Sequence, residues 1–133
     1  MTVVSTETVP VASEQDVVAV RRRVRETAAK LGLTLVDQTK IVTAASELAR
    51  NTLTHGGGGF MQLESLNGPR LGIRLTFSDT GPGIPDVQLA LRDGFTTGNG
   101  LGLGLGGAKR LVNEFDIQSA RGRGTKVTVV RWK

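Results

Sequence analysis

Residues 71–84 read LGIRLTFSDTGPGI, a short alternating segment followed by a turn that contains two glycines. The apolar residues of the segment fall at every second position, as a strand with one buried face requires: Ile73, Leu75 and Phe77. Asp79 then stands at the carboxyl end of this strand, where a carboxylate can accept a hydrogen bond from an exocyclic amine such as adenine N6. Gly81 and Gly83 permit a close backbone approach. A plain turn before a helix explains the same residues equally well.

The rest of the chain predicts one domain, residues 1–133, without repeats or a long linker. Residues 2–11 are typical of an edge strand, and residues 60–66 pair with 71–77 through an Asn-Gly hairpin turn. Ser13 and Thr34 are expected to cap two helices, the second running to about His55. A third helix over 103–113 precedes a final hairpin of 115–120 and 126–132. The predicted fold is an α/β (α+β) two-layer sandwich, with a mixed β-sheet covered on one face by helices.

Composition narrows the classes of function. The 133 residues include no Cys, which excludes disulfides and thiolate metal sites. No apolar run spans a membrane and no signal peptide is present, so we expect a cytoplasmic protein with no membrane partner. The net charge of +5 raises the question of nucleic acid, but only 4% of residues are aromatic, which leaves few stacking platforms. We expect no nucleic-acid partner and interpret the basic residues as a solvated face.

Glu47 and Asn51 lie four residues apart, so they project from one face of the second helix. The Asn51 amide oxygen suits Mg²⁺, which prefers hard oxygen ligands, and the Glu47 carboxylate suits proton abstraction from a hydroxyl. The same pair is also commonplace on a solvated helix face.

A glycine-rich stretch, GLGLGLGG at residues 100–107, leads into the third helix. Backbone N–H groups in such a loop form an anion site that nucleotide phosphates usually occupy. No strand precedes it and no Gly-Lys-Ser/Thr occurs in the chain, which excludes a Rossmann motif and a P-loop. Gly124-Thr125 stands between the last two strands, where its hydroxyl could reinforce a base-binding carboxylate or simply start a hairpin.

The order of these four motifs resembles the gyrase, histidine-kinase, chaperone and MutL (GHKL) superfamily of ATP-binding domains, over about residues 13–132. The resemblance implies a Bergerat-type fold, with ATP and Mg²⁺ as cofactors and residues 95–99 as a short lid. It implies that Glu47 is the catalytic base and that Asn51 ligates Mg²⁺. The implied ATP-binding residues are Asn51, Asp79, Gly81, Gly83, Ile84, Thr97, Gly100, Leu101, Gly102, Leu103, Gly104 and Thr125.

Within the superfamily, the chain is more similar to the RsbT-type serine/threonine switch kinases of bacterial stress signalling, which act with the stressosome. The segments that carry this similarity are SELARN at 46–51, DGFTT at 93–97, AKRLVNEF at 108–115 and the closing RWK at 131–133. The resemblance implies STAS-domain protein substrates and a manganese-dependent serine phosphatase as a regulatory partner.

Three other functions are weighed against this one. An anti-sigma factor of the same superfamily could keep the same ATP site. The catalytic module of a histidine kinase usually has a longer lid than the roughly 16 residues between Gly83 and Gly100. A basic nucleic-acid module would bind with a steep salt dependence.

Overall fold

The computed structural model describes residues 1–92 and 104–133, which form five strands and four helices. In chain order these are β1 Thr2–Val11, α1 Glu14–Lys30, α2 Leu35–Thr54, β2 Gly59–Asn67, β3 Gly72–Asp79, α3 Val87–Ala90, α4 Gly104–Arg110, β4 Glu114–Ser119 and β5 Thr125–Trp132.

The strands form one sheet in the order β1-β2-β3-β5-β4. Every pairing between them is antiparallel, so the expectation of a mixed sheet is wrong in that detail. The reason is topological. The strands of the β2–β3 and β4–β5 hairpins run in opposite directions, and the longer connections also bring β2 back antiparallel to β1 and β5 antiparallel to β3. The predicted edge position of β1 and the β2–β3 hairpin are confirmed.

The helices α1 and α2 pack against each other and against one face of the sheet, which confirms the two-layer sandwich. Both begin at the predicted caps, because Ser13 Oγ accepts a hydrogen bond from Asp16 N at 3.2 Å and Thr34 Oγ1 accepts one from Asp37 N at 3.1 Å. The third predicted helix is shorter than expected and ends at Arg110. The short α3, capped by Asp86, was not predicted from the sequence.

The core lies between the sheet and these helices, and strand register divides the sheet into rows. One row that faces the helices is entirely apolar across four strands and consists of Met61, Phe77, Val127 and Ile117. The opposite face of the sheet is mainly polar. There Arg74 forms a two-pronged ion pair with Glu64, its partner on the neighbouring strand, at 2.7 and 3.0 Å. The hydrogen bonds that Arg74 donates to Glu64 hold the pKa of the Arg74 guanidinium above its usual value.

None of the helices within residues 1–92 and 104–133 combines the length and hydropathy that crossing a membrane requires.

Candidate nucleotide-binding site

A row of polar or small residues follows the apolar row at one end of the sheet. Asp79 is the register partner of Gly59 on one side and of Thr125 on the other, and Thr125 in turn pairs with Ser119. Because side chains alternate along each strand, these residues share the helix-facing side with the row of Phe77. The end of the sheet therefore presents a carboxylate and two hydroxyls beside an apolar floor.

Glycines without side chains leave room for the Asp79 carboxylate itself. A Cβ added at Gly56, just past the end of α2, would collide with the Asp79 carboxylate carbon and its Oδ2. A Cβ at Gly81 would come within 2.7 Å of the Gly56 carbonyl oxygen. The Gly81 N–H donates to Asp79 Oδ1 at 2.9 Å, which fixes the carboxylate and leaves Oδ2 without a partner among the described residues. Asp79 and Gly81 were predicted from the sequence as site residues, whereas Gly56 was not.

The two glycine turns that flank the row meet each other. Gly83 has a φ of +79° and Gly124 a φ of +74°, in the left-handed region that favours glycine. A Cβ at Gly83 would strike the Ala120 carbonyl, and one at Gly124 would strike the Asp79 carbonyl. The Gly122 N–H also donates to the Pro82 carbonyl at 2.6 Å. These contacts join the turn after β3 to the β4–β5 hairpin, so two motifs about 40 residues apart in sequence form one wall.

Ser119 connects this wall to the row and is the residue that the sequence did not single out. Its Oγ accepts from Ile84 N at 2.8 Å, donates to the Gly124 carbonyl at 3.0 Å and lies 2.8 Å from Thr125 Oγ1. A serine at the end of a strand has no distinctive signal without knowledge of strand register. Ile84 and Thr125, both predicted as ATP-binding residues, thus contact the same hydroxyl.

Glu47 and Asn51 lie in the C-terminal half of α2 and are both half-buried. Neither side chain has a hydrogen-bond or ion-pair partner among the residues that the structure describes. The Asn51 carbonyl accepts from the Gly56 N–H at 3.2 Å, so the backbone of Asn51 is tied directly to the glycine that contacts Asp79. The helix therefore ends against the carboxyl end of β3.

Five predicted binding residues lie outside the described residues: Thr97, Gly100, Leu101, Gly102 and Leu103. The expected lid at 95–99 and the segment at 93–97 also lie outside them. Gly104 is described and begins α4 with a φ of +70°. The helix α4 packs on α2, and Gly106 fits closely against the Leu91 carbonyl, where a Cβ would collide.

These residues fit a Mg-nucleotide by their chemistry. Gly56 leaves room for the Asp79 carboxylate, where an added Cβ would collide with it, and Asp79 Oδ2 has no hydrogen-bond partner among the described residues and can accept from an amine. Asn51 supplies an amide oxygen of the kind Mg²⁺ prefers. Within residues 1–92 and 104–133, no group of three His, Asp or Glu side chains is arranged to hold a metal. A magnesium ion here would accordingly depend on phosphate oxygens and water for most of its ligands.

Comparison with known proteins identifies the protein family to which the chain belongs. The sequence profile of the histidine kinase-, DNA gyrase B- and HSP90-like ATPases matches residues 36–133, and the chain belongs to this family. It is 42% identical over 125 residues to the serine/threonine-protein kinase RsbT of Bacillus subtilis (strain 168), covering 93% of this chain and 94% of that protein. The chain is accordingly an ATP-using serine/threonine protein kinase.

More distant relatives and solved structures agree on the fold. The anti-sigma F factor of Thermoanaerobacter sp. (strain X514) is 28% identical over 110 residues, 79% of this chain and 77% of that protein. A crystal structure of the RsbU and RsbW domains of a Mycobacterium tuberculosis protein matches with a TM-score of 0.66 and 24% identity, covering 96% of this chain and 32% of that one. The histidine kinase domain of a blue-light activated kinase from Erythrobacter litoralis matches with a TM-score of 0.53 and 20% identity, over 92% and 60% of the two chains.

Proposed function

We propose that this chain, as a single kinase domain over residues 1–133, transfers the γ-phosphate of Mg-ATP to a serine or threonine of a STAS-domain partner. The observation that supports this most is the row of Asp79 and Thr125 beside an apolar floor, next to the end of the helix that bears Glu47 and Asn51. The setting is a bacterial stress-signalling module in which partners switch according to phosphorylation. The relative named RsbT supports this choice.

In this proposal, Asp79 and Thr125 bind adenine. Asp79 Oδ2, which has no hydrogen-bond partner among the described residues, accepts a hydrogen bond from the adenine amino group, and the apolar row beneath contacts the face of the base. Gly81, Gly83 and Ile84 form the wall beside the base, and their backbone is held by the β4–β5 hairpin. The glycine-rich residues 100–104 contact the phosphates through their N–H groups, and Thr97 binds with them.

Phosphoryl transfer requires mainly positioning and neutralisation of charge. Asn51 would hold Mg²⁺, which when bound neutralises phosphate charge. The partner's hydroxyl oxygen attacks the γ-phosphorus while the bond to the ADP oxygen breaks. Glu47 accepts the proton that the hydroxyl loses, and its half-buried position with no competing ion pair among the described residues leaves the carboxylate available for that proton.

The downstream effect that we propose is activation of a manganese-dependent serine phosphatase. This part of the proposal rests on the likeness to the RsbT kinase, which covers nearly the whole of both chains. We place the protein in the cytoplasm with these partners.

A second candidate is an anti-sigma factor, which would bind a sigma subunit and use the same ATP site. The 28% identity to an anti-sigma F factor favours it, over a smaller share of the chain than the kinase relative covers.

The test is transfer of γ-labelled phosphate from Mg-ATP to STAS-domain proteins of the same genome. We expect wild type to label a serine or threonine in an acid-stable linkage. Glu47→Gln should lower the rate about 100-fold or more, the usual contribution of a general base, while leaving ATP binding intact. Asn51→Ala should lower both the rate and the Mg-dependent part of nucleotide binding.

The matched control is Asp116→Asn, the same acid-to-amide change at an exposed carboxylate on the edge strand β4. It should label the partner at the wild-type rate. An acid-labile product would indicate transfer to histidine and contradict the proposal. Tight ATP binding with no labelled STAS protein, together with copurification of a sigma factor, would instead support the anti-sigma function.

A further inference from the structure

Ser119 occupies the end of β4 at the edge of the proposed adenine pocket. It is half-buried and belongs to the polar row, separated from Asp79 by Thr125 alone. Its hydroxyl makes three polar contacts with three different segments: the turn after β3, the turn before β5, and β5 itself.

Counting hydrogens assigns the direction of each contact. A serine hydroxyl has one hydrogen and two lone pairs. The Gly124 carbonyl can only accept, so it takes the hydrogen of Ser119 at 3.0 Å. The Ile84 N–H can only donate, so it occupies a lone pair at 2.8 Å. The remaining contact, 2.8 Å to Thr125, must therefore be donated by the Thr125 hydroxyl.

The consequence concerns Thr125. Because its only hydrogen points to Ser119, its oxygen has only lone pairs left for a ligand. Its register partner Asp79 is a carboxylate, which when ionised is also only an acceptor. This edge of the pocket thus presents hydrogen-bond acceptors alone. They can accept from an amino group, which has two hydrogens, whereas they repel a carbonyl oxygen.

We infer that Ser119 is a specificity-determining residue that holds Thr125 as a hydrogen-bond acceptor, so that the pocket selects a 6-amino purine over a 6-oxo purine. Ser119 acts through Thr125 and is a positioning residue. The inference rests on the proposed adenine-binding role of Asp79 and Thr125.

The experiment compares the dissociation constants of ATP and inosine triphosphate (ITP), which has a carbonyl where ATP has its amino group. Wild type should prefer ATP. In Ser119→Ala the Thr125 hydroxyl is free to turn its hydrogen towards a carbonyl, so the preference for ATP should fall about tenfold, the equivalent of one hydrogen bond. If Ser119 had a purely structural role, Ser119→Ala would weaken the binding of ATP and of ITP by the same factor. The preference for ATP would then stay unchanged, and this result would overturn the inference.

A double-variant comparison tests whether Ser119 acts through Thr125. Thr125→Val removes the hydroxyl and should also reduce the preference for ATP. Adding Ser119→Ala to Thr125→Val should then change the preference no further, whereas additive effects of the two substitutions would contradict the mechanism. Ser119→Thr, which keeps a hydroxyl, should retain the preference. Gln118→Ala, an exposed neighbour that contacts Asp116, is the control and should behave as wild type.

Three further outcomes are distinguished. If Ser119→Ala does not fold, Ser119→Cys replaces it, because a thiol is a weak donor and acceptor and should also lower the preference. The failure of the proposed site is recognised separately: wild type that binds ATP and ITP equally, or Asp79→Asn that binds ATP as wild type does, would overturn both the site and the role of Ser119. ATP selectivity that depends on Asp79 but not on Ser119 would overturn the role of Ser119 alone.

Discussion

At Gly56 the absence of a side chain makes room for the carboxylate of Asp79. This glycine does not have a positive φ, so its identity is not required by backbone conformation. What requires it is contact: any Cβ would occupy the place of the Asp79 carboxylate, whose orientation Gly81 N–H fixes from the other side. A single missing methyl group thus determines whether the carboxylate can face a ligand.

Gly56→Ala should therefore weaken ATP binding about tenfold or more, because displacing a charged hydrogen-bond acceptor costs about 1.5–3 kcal/mol. The matched control is Gly68→Ala in the β2–β3 turn, where φ is also not positive and the nearest atom to an added Cβ, Met1 Cα, is 3.4 Å away. Titration with a fluorescent ATP analogue measures both. Equal affinities for the two variants would show that Asp79 does not need the space.

The helix α2 is fixed at its beginning by an ion pair with the last strand. Arg131 donates to Asp37 Oδ1 at 2.6 Å, and both side chains are largely buried, with exposed fractions of 16% and 25%. Asp37 also lies in the first turn of α2, where the helix dipole stabilises a negative charge. Glu47 and Asn51 lie nearer the other end of the same helix. The Asp37–Arg131 ion pair therefore helps to fix the position of their side chains relative to the sheet.

The pair predicts a dependence of stability on pH. The hydrogen bond from Arg131 holds the pKa of Asp37 below its ordinary value. A lowered carboxylate pKa means that the pair stabilises the fold above the ordinary aspartate pKa and that this contribution is lost as pH falls through the folded-state pKa. Asp37→Asn should lower the urea midpoint at pH 7 and make the remaining loss on acidification smaller than in wild type.

Urea unfolding at neutral pH and at a series of acidic pH values measures both effects. Asp116→Asn, at an exposed carboxylate on β4, is the control and should leave the neutral midpoint unchanged. If Asp37→Asn and Asp116→Asn showed the same acid dependence, the Asp37–Arg131 pair would not be a source of it.

The proposed site lies where three segments meet: the end of α2, the turn after β3 and the β4–β5 hairpin. A ligand that contacts all three binds the folded chain and not the unfolded one, so it must stabilise the fold by mass action. Trp132, the only tryptophan, reports on the closing strand, because its Nε1 donates to Glu114 at 2.8 Å and its ring lies against Gly72.

Mg-ATP at about 100 times its dissociation constant should add about 2.7 kcal/mol to the free energy of unfolding and raise the melting temperature by several degrees. Chelating magnesium with EDTA should remove part of that increase. Asn51→Ala should lose the magnesium-dependent part, whereas Glu47→Gln should keep the full increase because it alters proton transfer and not binding. Tryptophan fluorescence during heating measures this, and an Asn51→Ala protein that still responds to magnesium would contradict the assignment of the metal to Asn51.

Much of the fold followed from local patterns. Ser13 and Thr34 begin their helices as predicted, and β2 and β3 pair as the predicted hairpin, although residues 68–71 connect them in place of a two-residue Asn-Gly turn. These features are encoded within a few neighbouring residues, so a sequence pattern is sufficient to recognise them. The strand directions were not all predicted, because whether two strands run parallel depends on how the chain returns between them, and no short pattern records that.

By itself, the sequence determined the identity and order of the chemical groups: a Glu and an Asn one turn apart on α2, a carboxylate at the end of β3, and a Gly-Thr whose threonine begins β5. Only the tertiary structure decided which of them meet. Ser119 and Gly56 gain their roles from strand register and from a contact across more than 20 residues of chain, between Gly56 and Asp79. Hydrogen bonds and steric contacts act over a few ångströms in space, and packing alone brings residues distant in sequence within that range.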